Sequence, residues 1–229
     1  IIFLFSLALF SLIIYLLYQL SMSDNLRMTL LLLLFISFLL FLIWFKPRQF
    51  YHSMQLKFDR LRQNSEQPRI SHFDPFSLEW LNRLKQEDFK VFMDQSDYFV
   101  LHRLRKIQQD TILKQPMLEI IILIRNSLIP FNHPEITKAV NLLEDNYRKR
   151  KIHVTNYSIF PIKSGHIFDK ELMDKIDEVT FEKNGNHHIT VLNCYYLAHK
   201  KMIYFLHSKK YTPSLYYTYA ADLIYQLML

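Results

Sequence analysis

The chain has 229 residues, with 28 Lys and Arg against 21 Asp and Glu, which gives a net charge of +7. The single cysteine, Cys194, excludes an intrachain disulfide framework and a cysteine-based zinc site. The chain has only two glycines, Gly165 and Gly185, where average usage of about 7% predicts roughly sixteen. Loops that hold a nucleotide phosphate need clustered glycines, so we expect no nucleotide cofactor.

The chain opens with two apolar runs, residues 1–20 and 29–45, which contain no charged residue. Each is about long enough to cross a bilayer core of roughly 30 Å as a helix, so residues 1–45 are predicted to form a transmembrane hairpin. A cleaved signal peptide and a pair of buried helices in a soluble protein are the alternatives. The first apolar run lacks the basic start and the cleavage site of a signal peptide. Both runs lack the polar stripe that a soluble helix presents to water.

Charge on either side of the second run predicts the orientation of the hairpin. The connecting loop carries Asp24 and Arg27, the only charged residues in residues 1–45, so all of the positive excess lies in residues 46–229. By the positive-inside rule the loop lies outside, and the N-terminus and the C-terminal domain are cytoplasmic, as in a bacterial inner-membrane protein. The basic residues that follow the second run are Lys46, Arg48, Lys57, Arg60, Arg62 and Arg69.

Residues 46–75 are interpreted as a juxtamembrane helix and a linker. A helix is predicted to start at Asp74 and Pro75 and to carry an apolar face as far as Phe92. Strands are predicted at residues 98–104, 117–124 and 151–155, and the second of these, MLEIIILI, is an apolar run broken only by Glu119, as in a buried central strand. Helices are predicted where Pro134 follows His133, and at residues 168–176.

A similar order then recurs at the end of the chain. Residues 186–198 and 202–206 are predicted to be two strands about a tight turn at residues 199–201, and Thr212 and Pro213 are predicted to open a last helix. Strands that alternate with helices indicate an α/β fold. We therefore divide the cytoplasmic part into one α/β unit at residues 76–177 and a second, partial α/β unit at residues 178–229.

The segments FSLEWLNRLKQEDFKVFM and KRKIHVTNYSIF, with two apolar runs before them, carry a resemblance to a known family. In this order they resemble the membrane-anchored Mrr-like restriction endonuclease domains, which have the PD-(D/E)XK fold. Residues 77–160 match this outline, and YYLAHKKMIYFLHSKKY resembles a second copy of the strand pair that carries the family's chemistry. The resemblance implies a nuclease-like fold in one or two small units.

The resemblance also implies a metal site, which this sequence only partly retains. Such nucleases hold Mg²⁺ with an Asp and a Gln or Glu, and a Lys two residues on assists the attacking water. Asp110 stands for the Asp, but the Gln-x-Lys positions fall on Leu123 and Arg125 in the first unit and on His207 and Lys209 in the second. The resemblance therefore favours a non-catalytic module that binds a partner within a larger membrane complex. A working DNA nuclease that combines Asp110, Glu119, Lys209 and Mg²⁺ is the alternative, and an accidental resemblance is a third.

Two groups of basic residues are candidates for contact with a partner protein, a phosphate or an anionic lipid. Solvated helix ends and strand ends explain the same residues without a partner. The tyrosines that interleave with the second group resemble a nucleic-acid surface on which bases stack, but tyrosines this numerous in strands and a helix favour core and interface positions. His187 and His188 are adjacent, so they point to opposite faces of a strand, and no metal site is expected there. The basic candidates are Arg148, Lys149, Arg150 and Lys151, and Lys200, Lys201, Lys209 and Lys210.

Overall fold

A computed structural model of the protein describes residues 2–20, 23–105, 116–167, 169–178, 180–184 and 187–229. In this part of the chain the helices are α1 (Ile2–Gln19), α2 (Asp24–Gln63), α3 (Leu78–Gln86), α4 (Pro134–Lys149), α5 (Lys170–Ile176) and α6 (Leu215–Met228). The strands are β1 (Arg69–Ile70), β2 (Lys90–Asp94), β3 (Tyr98–Arg105), β4 (Met117–Ile124), β5 (Asn156–Gly165), β6 (Thr180–Asn184), β7 (His187–Val191), β8 (Cys194–Leu197) and β9 (Met202–Phe205). The chain forms two compact units, Ile1–Leu56 and Lys57–Leu229.

The N-terminal unit contains the apolar helices. Among the described residues, α2 is the one helix that is long and apolar enough to cross a membrane. The apolar part of α1, Phe5–Gln19, is shorter, about 22 Å at 1.5 Å per residue. The α2 helix continues through Pro47 to Gln63, so the predicted juxtamembrane helix is an extension of the second apolar run, and the linker begins after Gln63.

The C-terminal unit has mixed α/β structure, as the alternation of elements predicted. Within the described residues its nine strands form one sheet in the order β1-β9-β8-β5-β4-β3-β2, and β6 joins beside β7. The β5 strand is parallel to β4, β7 and β8, and the remaining pairs are antiparallel. Both β7 and β8 pair with β5, at successive stretches of the same strand. The strands of residues 178–229 therefore belong to the same sheet as those of residues 76–177.

Helices cover both faces of this sheet. On one face, α4 and α5 pack on alternate residues of β4 and form the main core, which includes Leu118, Ile120, Ile136 and Ile176. On the other face, Tyr219 of α6 contacts the intervening β4 position, Glu119. All eight residues of β4 are buried, as its continuous apolar sequence predicted for a central strand.

Trp80 joins α3 to α6 on the second face. Its side chain is fully buried, and its Nε1–H donates a 2.8 Å hydrogen bond to the Leu227 carbonyl. A buried indole N–H needs an acceptor, and the open end of α6 supplies one. The aromatic residue near the start of α3 therefore fixes the position of the last helix of the chain.

Several predicted boundaries were wrong, and the single strand predicted at residues 186–198 is divided into β7 and β8. The helix predicted from Asp74 begins at Leu78, because the Ser77 hydroxyl caps it by accepting from the Trp80 N–H. It ends at Gln86, before Asp88 with φ 65°, so Phe92 lies in β2 and not on the helix. No strand forms at residues 151–155, and β5 begins at Asn156.

The predicted start is confirmed for α4 and wrong for α6. His133 caps α4 through its Nδ1, which accepts from the Glu135 N–H, and Pro134 occupies the first helical position as predicted. The last helix does not start at Thr212 and Pro213, since the Ser214 hydroxyl accepts from the Tyr217 N–H and α6 begins at Leu215.

Candidate functional site

Glu119 is a fully buried carboxylate in the centre of the sheet. Arg103 lies directly opposite it on β3, and its Nε donates a 2.6 Å hydrogen bond to Glu119 Oε2. The Tyr219 hydroxyl donates to Oε1, and Arg105 Nη1 lies 4.0 Å from the same oxygen. Both carboxylate oxygens are therefore engaged by donors from β3 and α6, as a buried charge requires.

The partners of Glu119 are themselves held in place. Arg103 Nη1 donates to the Glu87 carbonyl at 2.7 Å, and the guanidinium carbon lies 4.4 Å from the centre of the Phe89 ring. Burial, followed by the nearby Glu119 charge, raises the pKa of Tyr219 well above its usual value. The cluster is a network of satisfied charges, so one of its donors has to be displaced before Glu119 can bind a metal ion.

The three residues of the nuclease hypothesis do not form one described site. Asp110 lies outside the described residues. Lys209 is exposed in the loop after β9, where its backbone N–H donates a 3.0 Å hydrogen bond to the Glu66 carboxylate. In the sheet order, β9 is three strands from β4, a separation of about 14 Å at 4.8 Å per strand. The backbones that carry Glu119 and Lys209 are thus well apart.

The positions that match the family's Gln-x-Lys are also engaged in structural contacts. Arg125 Nη1 donates at 2.8 Å both to Asp94 Oδ1 and to the Gln95 carbonyl, which ties the end of β4 to the β2–β3 turn. The His207 ring lies 2.8 Å from the Tyr225 hydroxyl of α6. Burial lowers the pKa of His207. These side chains join strand ends to neighbouring elements.

The basic candidates are exposed but lie in separate places. Residues 148–151 span the C-terminal end of α4, where Arg148 pairs with Glu144 at 3.1 Å and with Asp145 at 3.5 Å. No ion pair in the described part of the chain includes Lys149, Arg150 or Lys151. The second group is split, because residues 200–201 precede β9 and residues 209–210 lie beyond its other end, and the four-residue strand between them is about 13 Å long.

Four of the tyrosines that interleave with these lysines belong to the core. Tyr195, Tyr196, Tyr204 and Tyr217 are buried. The Tyr195 hydroxyl donates to the Ile167 carbonyl at 2.8 Å, and the Tyr204 hydroxyl donates to Asp177 at 2.9 Å. These rings are not available to stack on bases, so the core interpretation of the tyrosines is the one supported here.

His187 and His188 lie side by side on β7, and the His188 ring stacks on Tyr216 with 4.1 Å between the ring centres. Among the described residues, no three His, Cys, Asp or Glu side chains are grouped to hold a metal ion. The two histidines are consecutive residues of one strand, as their sequence predicted.

Sequence reasoning missed a cavity of about 750 Å³ between α4, α5 and the strands β5 and β7. Its wall includes Lys163, a buried lysine in β5. The available signal was a single charge, Lys163, in the otherwise apolar segment IFPIK of residues 159–163.

No protein-family model, curated protein or solved structure matches this chain.

Proposed function

We propose that the protein is a membrane-anchored, non-catalytic module that binds or assembles other subunits at the cytoplasmic face of a bacterial inner membrane. The observation that carries the proposal is the exposed apolar surface of α2. Its apolar stretch has no buried side chain, although a soluble protein rarely leaves so large an apolar surface in water. Among the exposed side chains are Leu32, Leu33, Leu40, Ile43 and Trp44.

Contacts inside the N-terminal unit support a hairpin. The Phe10 ring of α1 stacks on the Phe38 ring of α2 with 4.5 Å between their centres. At the connecting loop, Arg27 lies 5.6 Å from the centre of the Tyr18 ring and donates to the Leu20 carbonyl at 3.4 Å. Two antiparallel helices in contact place both of their far ends on the same side of a membrane.

The end of the second run has the composition of a membrane–water interface. The Arg48 guanidinium lies 3.9 Å from the centre of the Trp44 ring. Tryptophan and basic residues are enriched at headgroup level, and basic residues favour the cytoplasmic side. This pair and the basic residues beyond it support a cytoplasmic location for residues 57–229.

The state of Glu119 favours binding over catalysis. A metal-dependent nuclease needs a carboxylate with free oxygens at its active site, whereas both oxygens of Glu119 accept hydrogen bonds from protein groups. The exposed cations at residues 149–151, without carboxylate partners among the described residues, are instead suited to an acidic partner segment or an anionic headgroup.

One observation favours the nuclease alternative, which is the order α3, β2, β3, β4, α4, β5. Apart from β2, which was not predicted, this order follows the elements that carried the resemblance to Mrr-like endonucleases. Glu119 lies on the apolar strand β4 of that order. The alternative then requires Asp110, Glu119 and Lys209 to meet around Mg²⁺.

A cleavage assay separates the two functions. The purified full chain is incubated with supercoiled DNA and Mg²⁺ or Mn²⁺, beside the variants Asp110→Ala and Glu119→Gln. We expect no cleavage by any of the three proteins. Metal-dependent cleavage that Asp110→Ala abolishes would show that the protein is a nuclease, and the binding-module proposal would be wrong.

The binding function is tested by copurification from membranes. A variant with Lys149, Arg150 and Lys151 changed to Glu is compared with one in which Lys200 and Lys201 are changed to Glu. We expect the first variant to lose subunits that copurify with the unaltered chain and the second to retain them. Equal recovery with both variants contradicts a role for residues 149–151 in partner binding.

A further inference from the structure

The cavity beside β5 has the size and lining of a small-molecule site. Its volume of about 750 Å³ lies within the range of about 300–1,000 Å³ for ligand pockets. Apolar side chains from four elements contribute most of the wall, including Ile136, Val140, Ile159, Leu172 and Ile189. Such a wall favours a ligand with an apolar body.

Lys163 places a positive charge in this apolar wall. Its side chain is 9% exposed, and its Nζ donates a 2.9 Å hydrogen bond to the Ser127 carbonyl. The Nζ also lies 5.4 Å from the centre of the Phe131 ring. An ammonium group has three N–H donors, and the Ser127 carbonyl takes only one of them.

None of the ion pairs in the described part of the chain includes Lys163. A buried charge without an opposite charge is costly, and proteins normally supply a partner for it. Burial, followed by the nearby Lys175 charge, lowers the pKa of Lys163, as expected for an ammonium that lacks an anion. The missing partner is therefore the feature of this cavity that calls for a ligand.

We propose that the cavity binds a small molecule with an apolar body and a single carboxylate group, and that this carboxylate pairs with the Lys163 ammonium. One buried cation matches one negative charge. The cavity is also lined by Asp169, Glu171 and Glu178, which repel a ligand with two or more negative charges, such as a phosphate monoester. A monocarboxylate satisfies Lys163 with the least repulsion from these three residues.

The test compares three probes that share a phenylalkyl body and differ in charge. Binding of 4-phenylbutanoate, 4-phenylbutanamide and 3-phenylpropyl phosphate to the full chain in nanodiscs is measured by calorimetry, with empty nanodiscs as the blank. We expect the acid to bind roughly tenfold more tightly than the neutral amide, the factor expected for a charge-assisted hydrogen bond. We expect the phosphate to bind more weakly than the acid.

Two variants test which lysine is responsible for the preference for the acid over the amide. In Lys163→Met, we expect the affinity for the acid to fall to that for the amide, while the amide binds as before. In the matched variant Lys175→Met, which removes an exposed lysine at the same cavity, we expect the preference for the acid to remain. Thermal unfolding of each variant checks that it is folded.

Three results would overturn the proposal: equal affinity for acid and amide, tighter binding of the phosphate, or an acid preference that survives Lys163→Met. The first two comparisons use the unaltered chain, so they can overturn the proposal even if Lys163→Met does not fold. An acid preference that Lys163→Met removes would support it.

Discussion

Arg103 and Glu119 face each other across β3 and β4, and Arg103 Nε donates a 2.6 Å hydrogen bond to the Glu119 carboxylate. The Glu119 side chain is fully buried, and the Arg103 side chain is only 12% exposed. The Tyr219 hydroxyl of α6 donates a hydrogen bond to the other carboxylate oxygen, Glu119 Oε1. The one acidic residue of the central strand thus joins two strands and the last helix.

This buried pair should matter much more to stability than a surface pair. Glu119→Gln removes the buried anion of Arg103 and leaves only the half-exposed Glu87 carboxylate, 3.3 Å from Arg103 Nη1. We therefore expect the free energy of unfolding to fall by about 3 kcal/mol, the low end of the range for a broken buried pair. Asp94→Asn is the matched control, because Asp94 and Arg125 are partly exposed, and it should change stability by no more than about 1 kcal/mol. Urea unfolding of both variants measures the difference. Equal effects would mean that Glu119 and Arg103 do not form a buried pair.

Lys201 has a backbone conformation that favours glycine. Its φ is 49°, in the left-handed region, at the turn between β8 and β9. We expect Lys201→Gly to raise the free energy of unfolding by up to about 1 kcal/mol, because it removes the strain of a Cβ at positive φ. Lys200→Gly removes the same charge from the adjacent 3₁₀ turn, where φ is not positive, and should be neutral or destabilising. Thermal unfolding that ranks Lys200→Gly above Lys201→Gly would contradict this backbone assignment.

His102 should make the fold sensitive to mild acid. Burial, then the charges of Lys90 and Arg150, lowers the pKa of His102 to about 4, and its Nδ1 lies 2.8 Å from the Tyr147 hydroxyl. The unfolded chain has a histidine pKa of about 6.5 and binds the proton first, so stability is full above that pH. It falls as the pH drops from about 6.5 towards 4.

Two variants test this pH dependence by thermal unfolding between pH 7 and pH 4. His102→Gln should flatten the stability curve in that interval, since it removes the titrating group. Tyr147→Phe removes the hydroxyl but keeps the burial, so the slope should remain. A slope that is the same in His102→Gln as in the unaltered chain would assign the acid sensitivity to other groups.

The single cysteine makes the orientation of the proposed hairpin measurable. Cys194 is fully buried, and burial raises the pKa of its thiol, so it should not react with maleimides in the folded protein. In intact cells, Asn25→Cys in the first turn of α2, before its apolar run, should be labelled by a membrane-impermeant maleimide. Arg148→Cys should be labelled only after permeabilisation. The reverse pattern would place the folded unit outside.

Much of the fold follows from local sequence. The apolar segment at residues 117–124 predicted β4 with its correct bounds, and Pro134 marked the start of α4. The α3 helix was misplaced because Asp74, Pro75 and Ser77 all carry helix-start signals, and the structure uses Ser77 as the cap. Residues 151–155 alternate like a strand, but β5 forms further on, where Asn156 pairs with Met117.

The candidate sites were less predictable, because they depend on pairing between distant strands. Nothing local to Glu119 indicates that Arg103, sixteen residues earlier, lies opposite it, or that Tyr219 reaches it from the last helix. Lys163 stands out in the sequence only as a single charge in an apolar segment, and the cavity that α4 and α5 leave over β5 is visible only in the structure. The positive-φ residues Asp88, Lys151 and Lys201 also became visible only in the backbone, since the chain places no glycine there.

Membrane anchoring is tested most directly by washing membranes at alkaline pH and then floating them on a density gradient. The wash removes peripheral proteins, and the flotation separates membranes from aggregates. We expect the full chain to float with the membranes. Leu33→Arg with Ile36→Arg, which costs roughly 5–7 kcal/mol at the centre of a span on insertion scales, should release much of it, whereas Gln49→Arg beyond the apolar run should not. Recovery of the unaltered chain in the soluble fractions would contradict the proposed membrane anchor.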